Sequence, residues 1–435
     1  MVTEHSRHDT RLDRFVDSYS QRTNGMRVSA VRALFAVANR PEIVSLAGGM
    51  PNIKDLPLPE IAGSIADMIT SNGTQVMQYG SGQGEPALRE QILDVMALEG
   101  ITAHADDVVI TAGSQQGLDL VTRIFCDPGD VILAESPSYV GALGTFLSYQ
   151  TEVVHVGSDE DGLDPTALRE TVARLKKAGK RIKFLYTIPN FNNPSGKTQP
   201  WERRLDILSV CAEEGVLVVE DNPYGLLTLD ADPIPAMRSA DADVIYLGSF
   251  SKTFAPGFRV GWVLAPHAVR EKLVLAQESA TLCPPVFSQF AISTYLATQD
   301  WQGQIEIYRD MYRERRDTML HALAEEMPDG ASWTRPAGGF FVWVTLPEGL
   351  DSQAMLPRGV NARVAFVPGG AFYADGQGAR NVRLSYCFPP ADRIRIGVQR
   401  FADVVRRELE VMDTFGIDAS PHELRRPTGP GPDLT

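Results

Sequence analysis

A mainly parallel α/β sheet with helices on both faces, followed by a smaller α+β unit, is the fold this 435-residue sequence predicts. Three observations predict it. Short apolar runs recur through the centre, at Val108–Ile110, Val131–Leu133, Val153–Val156, Phe184–Tyr186, Leu217–Val219, Val244–Leu247 and Val260–Leu264. Several are separated by stretches of helical periodicity, such as Ser114 to Phe125 and Trp201 to Glu214. Such alternation builds strand–helix–strand crossovers, whose strands run parallel and lie buried between two helical layers. After Ile305 the rhythm changes to a charged helix from Tyr308 to Glu326, strands at Phe340–Thr345, Val364–Pro368 and Val382–Tyr386, and a last helix from Asp392 to Met412.

The N-terminal part reads differently. Residues 1–27 are polar and expected to be flexible until docked. Val28, Val31, Leu34, Phe35 and Ala38 recur at helical spacing, and the run Ile43 to Ala47 reads as a strand broken by Gly48, Gly49 and Pro51. The expected organisation is an arm over 28–60, a large domain over 61–304, a small domain over 305–417 and a disordered tail over 418–435, rich in Pro and Gly. No internal repeat is visible.

Composition narrows the function. Hydrophobic residues make up 43% and charged ones 22%, enough apolar material for a sizeable core. The formal charge of −14 repels a phosphate polymer, and no Lys/Arg run offsets it, so no nucleic-acid partner is expected. Cys126, Cys211, Cys283 and Cys387 are scattered without a CxxC pair, as structural thiols of a reducing compartment are. The seven histidines are dispersed, so no metal site is expected. No apolar run reaches membrane-spanning length, and Met1 to Arg7 does not lead into a signal core; a soluble cytoplasmic protein is the expectation.

Ligands of open α/β sheets sit at the C-terminal ends of the strands, and polar motifs cluster there. The most informative runs from Leu247 to Trp262, LGSFSKTFAPGFRVGW. It sets Lys252 among Ser249, Ser251 and Thr253, with Arg259 a short loop away. An amine for covalent chemistry on an aldehyde, beside hydroxyls and a cation that hold an anion, is what a pyridoxal-phosphate site requires. Asp221 ends the run Leu217 to Val219; it either caps a loop or meets a buried cation such as a pyridinium nitrogen. Tyr224 follows a Pro turn and is placed to bond a ring hydroxyl. Asn193, in Asn192-Asn193-Pro194-Ser195-Gly196, reads as turn chemistry or as an amide donor fixed by Pro194. Ser114, after Thr111-Ala112-Gly113, caps a helix, seats an anion at its N-terminus, or does both. Tyr139, in Ser136-Pro137-Ser138-Tyr139, packs in the core or stacks on a planar ring. The glycines of Tyr79-Gly80-Ser81-Gly82-Gln83-Gly84 do not fit GxGxxG, and no strand precedes them, so a dinucleotide site is rejected.

In this order the motifs resemble the class I/II aminotransferases of the fold-type I pyridoxal-phosphate superfamily. The segment Ser45 to Pro51 resembles the branch that holds 2-aminoadipate and kynurenine aminotransferases and the effector domain of MocR-type regulators. The resemblance runs from about Ser29 to Val411, so no winged helix ahead of it is expected, and a pyridoxal-phosphate-sensing regulatory module is the less favoured reading. It implies pyridoxal 5'-phosphate as cofactor, with Lys252 as the lysine that binds it and shuttles the proton at the substrate Cα. By the same resemblance Asp221 partners the ring nitrogen, Asn193 and Tyr224 the ring hydroxyl, and Tyr139 stacks on the ring. Ser114, Gln115, Ser249, Ser251 and Arg259 match the phosphate set. Tyr79 matches a tyrosine that reaches the neighbouring subunit's cofactor, which implies a homodimer with shared sites. On the substrate side the resemblance implies Arg383 for the α-carboxylate, with Asn193, Gly49 and, on the N-terminal helix, Arg32. Val382 and Leu384 face one side of their strand and Arg383 the other, as a carboxylate clamp requires. The chain departs from the frequent Gln-Asn-Pro-Thr-Gly at Asn192 and Ser195 but keeps Asn193. The expected activity is ping-pong transfer of an amino group between an L-amino acid and a 2-oxo acid. Lyase, decarboxylase or oxidase chemistry on the same cofactor is the alternative.

Overall fold

Seven strands form the central sheet of the computed structural model, which describes residue 13 and residues 15–26 and 40–415. The expected helix from Val28 to Ala38, with Arg32, and the tail beyond 415 lie outside the described residues. The strands are β1 (Val108–Thr111), β2 (Val131–Glu135), β3 (Glu152–Val156), β4 (Ile182–Thr187), β5 (Leu217–Asp221), β6 (Ile245–Ser249) and β7 (Gly261–Leu264). Their order is β1-β7-β6-β5-β4-β2-β3. The pairs from β6 to β3 are parallel, while β7 runs antiparallel to both β6 and β1.

The helices are α1 (Leu58–Val76), α2 (Pro86–Ala97), α3 (Ser114–Phe125), α4 (Val140–Ser148), α5 (Pro165–Lys177), α6 (Trp201–Glu214), α7 (His267–Thr281), α8 (Val286–Thr298), α9 (Trp301–Glu326), α10 (Ser352–Asn361) and α11 (Ala391–Phe415). Residues 61 and 305, where the sequence reading divides the chain, lie inside α1 and α9.

Side chains alternate across a strand, and here both faces are covered. Phe184, Tyr186, Val219, Leu247 and Val263 pack with Leu118 of α3, Phe146 of α4 and Leu273 of α7. Their neighbours Leu185, Val218 and Val244 pack on the other face with Leu168 of α5 and Ile207 of α6. Burial on both faces is why these strands read as continuous apolar runs. Each such side chain contributes roughly 1.5–3 kcal/mol on leaving water.

A second, four-stranded sheet follows, with β8 (Ser332–Trp333), β9 (Phe341–Thr345), β10 (Val367–Pro368) and β11 (Asn381–Ser385) in the order β8-β9-β11-β10. The expected single strand Val364–Pro368 is two. Val364–Ala365 pairs in parallel with Val44–Ser45, and β10 pairs with β11 at the sheet edge. Pro368 has no N–H to donate and suits an edge strand.

The two sheets are stitched together just beyond β5. Leu229 N–H donates to Ala337 O, Gly339 N–H donates to Leu227 O, and Arg316 of α9 pairs with Asp230. These bonds carry Phe341 and Arg383 of the second sheet over the C-terminal edge of the first.

Candidate active site

One edge of the seven-stranded sheet collects the chemistry. The parallel strands deliver Asp221 and Ser249 there at their C-terminal ends, with Thr111 of β1 level with them. Because β7 runs the other way, its beginning lies at that edge: Gly261 is in register with both Thr111 and Ser249. Arg259, two residues earlier, is thereby brought beside the residues before α3. A cavity of about 860 Å3 opens at this edge. Twelve of the fourteen expected site residues line it: Gly49, Ser114, Gln115, Tyr139, Asn193, Asp221, Tyr224, Ser249, Ser251, Lys252, Arg259 and Arg383. Tyr79 is not among them; it is 77% exposed on the chain's own surface. Arg32 lies outside the described residues.

Asp221 is 5% exposed, and burial raises its carboxyl to about 6. Its Oδ2 accepts a 2.7 Å hydrogen bond from the hydroxyl of Tyr186, which opposes that rise. Its Oδ1 has no partner among the described residues. Lys252 is half-buried at the cavity wall; loss of water around the ammonium lowers its pKa to about 8, and Nζ donates to Gly49 O at 2.8 Å. Tyr224 is buried edge-on against Phe340 and Phe341.

The residues around the start of α3 are built for an anion. Gly113, not Ser114, is the N-cap of α3, with φ 84°, so Ser114 opens the helix instead of capping it. Its hydroxyl is thus spared capping, and the first helical N–H groups have no intrahelical acceptor. A Cβ at Gly113 would collide with the guanidinium of Arg259, which is why this left-handed position is glycine. Arg259 itself has φ 54° and donates to Ala112 O at 3.1 Å and, more weakly, to Ser251 Oγ at 3.4 Å. The Gln115 side chain is spent elsewhere, on Thr145 Oγ1 at 2.7 Å and Gly141 O.

Arg383 is 2% exposed on β11, against the alternative of a solvent-facing arginine. It donates to Asn193 Oδ1 at 2.8 Å and Ala47 O at 2.7 Å, and its guanidinium lies 4.2 Å from the Phe341 ring centroid and 5.0 Å from that of Phe372. Burial lowers its pKa to about 10, still far above neutrality. With its oxygen engaged by Arg383, Asn193 keeps its amide N–H2 for another acceptor.

The sequence reading missed Met50, Val140, Ile188 and Phe341 on the cavity wall and Tyr186 beneath it. The four apolar residues carry no signal that separates them from core. Tyr186 did carry one, since a tyrosine in a strand buried on both faces needs a partner for its hydroxyl, and Asp221 is on the adjacent strand.

These residues fit pyridoxal phosphate. A desolvated carboxylate oxygen without a donor is costly unless a proton-bearing group meets it, and a protonated ring nitrogen is such a group. An amine of lowered pKa and an anion seat with an arginine lie in the same cavity.

Comparison with known proteins agrees. The family model for aminotransferase class I and II matches residues 41–401. The chain is 40% identical to aromatic-amino-acid aminotransferase 1 of Thermococcus litoralis, over 90% of this chain and 95% of that protein. It is 36% identical to the 2-aminoadipate transaminase of Thermus thermophilus, over 91% and 98%. Its fold superposes on the crystal structure of Pyrococcus horikoshii kynurenine aminotransferase in complex with PMP with a TM-score of 0.86, at 39% identity, covering 90% of this chain and 97% of that one. The cofactor is therefore pyridoxal 5'-phosphate on fold type I, and the reaction is ping-pong transfer of an amino group between an amino acid and a 2-oxo acid. Strand order, cavity and relatives converge: this chain belongs to the class I and II aminotransferases.

Proposed function

We propose that this aminotransferase takes bulky, chiefly aromatic, L-amino-acid donors, and that Lys252, Asp221 and Arg383 divide the work. The observation that carries the reading is that these three line one cavity together with the apolar side chains of Met50, Val140, Ile188 and Phe341. Bound pyridoxal phosphate supplies an electron sink that acidifies the substrate Cα–H. Lys252 Nζ is the amine that holds the cofactor and then moves the proton at Cα; a pKa near 8 keeps part of it neutral at physiological pH. Asp221 keeps the ring nitrogen protonated. Asn193 and Tyr224 donate to the ring hydroxyl, and Tyr139 covers a ring face. Ser114, the Gln115 backbone N–H, Ser249, Ser251 and Arg259 hold the phosphate. Arg383 grips the α-carboxylate bidentately, with the Gly49 backbone alongside.

The donor class follows from what the side-chain end lacks and has. Among the described residues lining the cavity, the charged ones are Asp221, Lys252, Arg259 and Arg383, all assigned above. Met50, Ile188, Val140 and Phe341 remain to meet the substrate side chain. The aromatic-amino-acid specificity named for the Thermococcus litoralis relative supports this reading. Arg32 is assigned to the distal end of that side chain; unchanged donor preference in Arg32→Ala would remove it. Tyr79, exposed and close in sequence to α1, is assigned to the cofactor of a second copy in a homodimer. The chain is divided into an arm (28–60), a cofactor-binding domain (61–304) and a small domain (305–417), for which the two separate sheets speak. A cytoplasmic location fits the four cysteines, none of them disulfide-bonded.

The test is the first half-reaction, followed by cofactor absorbance for single donors. Phenylalanine, tyrosine and kynurenine should exceed aspartate at least tenfold in kcat/KM. Preference for aspartate would overturn the donor class.

A further inference from the structure

Asp221 has two carboxylate oxygens, and the chain supplies a donor to one of them. The Tyr186 hydroxyl donates to Oδ2 at 2.7 Å, while Oδ1 is buried with no partner among the described residues. Tyr186 is 0% exposed on β4, in register with Val219 of β5, and its ring is set edge-on to Phe146 at 5.4 Å and 77°. Among the described residues, its hydroxyl hydrogen-bonds to Asp221 alone. The ring is thus locked by the core and the hydroxyl is aimed at one carboxylate oxygen.

We propose that Tyr186 is a positioning residue for the cofactor: it turns Oδ1 of Asp221 towards the ring nitrogen and keeps the shared proton on that nitrogen. The proposal rests on the assignment of Asp221 as the ring-nitrogen partner. Between a carboxylate and a ring nitrogen, the proton sits on the stronger base. A hydroxyl donating to the far oxygen stabilises the carboxylate and weakens it as a base, which leaves the proton on nitrogen. Without that donor Oδ2 is desolvated and unpaired, the carboxyl is free to turn, and the proton moves towards Asp221. Among the described residues, the other ionisable groups that act on Tyr186 are the hydroxyls of Tyr139 and Tyr224, both held neutral because burial raises their pKa values.

A filler role predicts that phenylalanine serves as well as tyrosine, and Tyr186→Phe keeps the shape while removing the oxygen. The readouts are the 15N resonance of ring-labelled pyridoxal phosphate bound to the holoenzyme, titrated with pH, and the cofactor dissociation constant. Tyr186→Phe should move the resonance towards neutral pyridine and weaken cofactor binding roughly tenfold, the scale of a hydrogen bond to a charged group. It should lower kcat with little change in KM. An unchanged resonance and affinity in folded Tyr186→Phe would overturn the proposal. Asp221→Asn separates the two claims. If it shifts the resonance and Tyr186→Phe does not, Tyr186 alone is wrongly assigned; if neither shifts it, the Asp221 assignment falls too. Should Tyr186→Phe not fold, 3,5-difluorotyrosine in place of Tyr186 retains the shape with a stronger donor. It should then move the titration to higher pH, and no movement would overturn the proposal.

Discussion

Lys252 is an ordinary lysine placed where water is scarce. Loss of hydration lowers its pKa from 10.5 to about 8, the neighbouring arginines push the same way, and Gly49 O holds the amine in place. The rate at which cofactor-free protein takes up pyridoxal phosphate should therefore rise with pH to a plateau with a midpoint near 8. Stopped-flow absorbance checks this, and a midpoint near 10 would show a solvated lysine. Arg383 offers the complementary case. Lysine in its place keeps the charge and loses the planar fork, so Arg383→Lys should lower kcat/KM for donors about a hundredfold, on the order of 3 kcal/mol, without altering the absorbance of bound cofactor. Lys252, Asp221, Arg259 and Arg383 were legible in the sequence because each breaks an apolar pattern at a strand end or within a strand. Tyr186 and Phe341 continue such a pattern, so periodicity assigns them to the core. Their contact with the site depends on register, which only the folded sheet supplies.

Single elements carry their own support for the site. The turn after β5 is held from below by a buried chain of side chains. Asn222 Nδ2 donates to Glu99 Oε1 at 2.6 Å, Tyr246 donates to Glu99 Oε2 at 2.7 Å, and Asn190 Nδ2 donates to Asn222 Oδ1 at 3.0 Å. Asn190 in turn accepts from the buried Arg204. The chain thereby joins the loop of Asp221 and Tyr224 to the loop of Asn193. Gly225 leaves room for it, since a Cβ there would overlap Glu99 Oε1. Gly225→Ala should lower stability by about 2 kcal/mol, measured by denaturant unfolding, and should weaken cofactor binding as the turn shifts. The strands of the central sheet were legible because burial on both faces leaves an unbroken apolar run. The split of Val364–Pro368 was not, because a change of partner at Phe366 leaves the run unbroken.

At the scale of the molecule, buried acids tie stability to pH. Burial raises Glu99 and Glu135 from 4.5 to about 7, against the hydrogen bonds each accepts. The folded state then holds protons that the unfolded chain releases above 4.5. Their contribution is complete below pH 4.5 and is lost as pH rises through about 7. For Glu99 the loss is on the order of 3 kcal/mol. The stability difference between wild type and Glu99→Gln should shift in favour of the variant across that window; parallel profiles would show that Glu99 is ionised throughout.

The two sheets owe their arrangement to the stitches beyond β5, and these set Arg383 over the edge that holds Asp221 and Lys252. Transamination is thereby assigned to this one cavity. The most direct test of that assignment is the absorbance of the purified protein, wild type and Lys252→Ala, as an aromatic L-amino acid and then a 2-oxo acid are added. The wild type should be yellow, bleach to the amine form of the cofactor and recover its colour, while Lys252→Ala stays folded and does not cycle. Cycling by Lys252→Ala at wild-type rate, or a wild type that binds cofactor and never bleaches with any donor, would contradict the account.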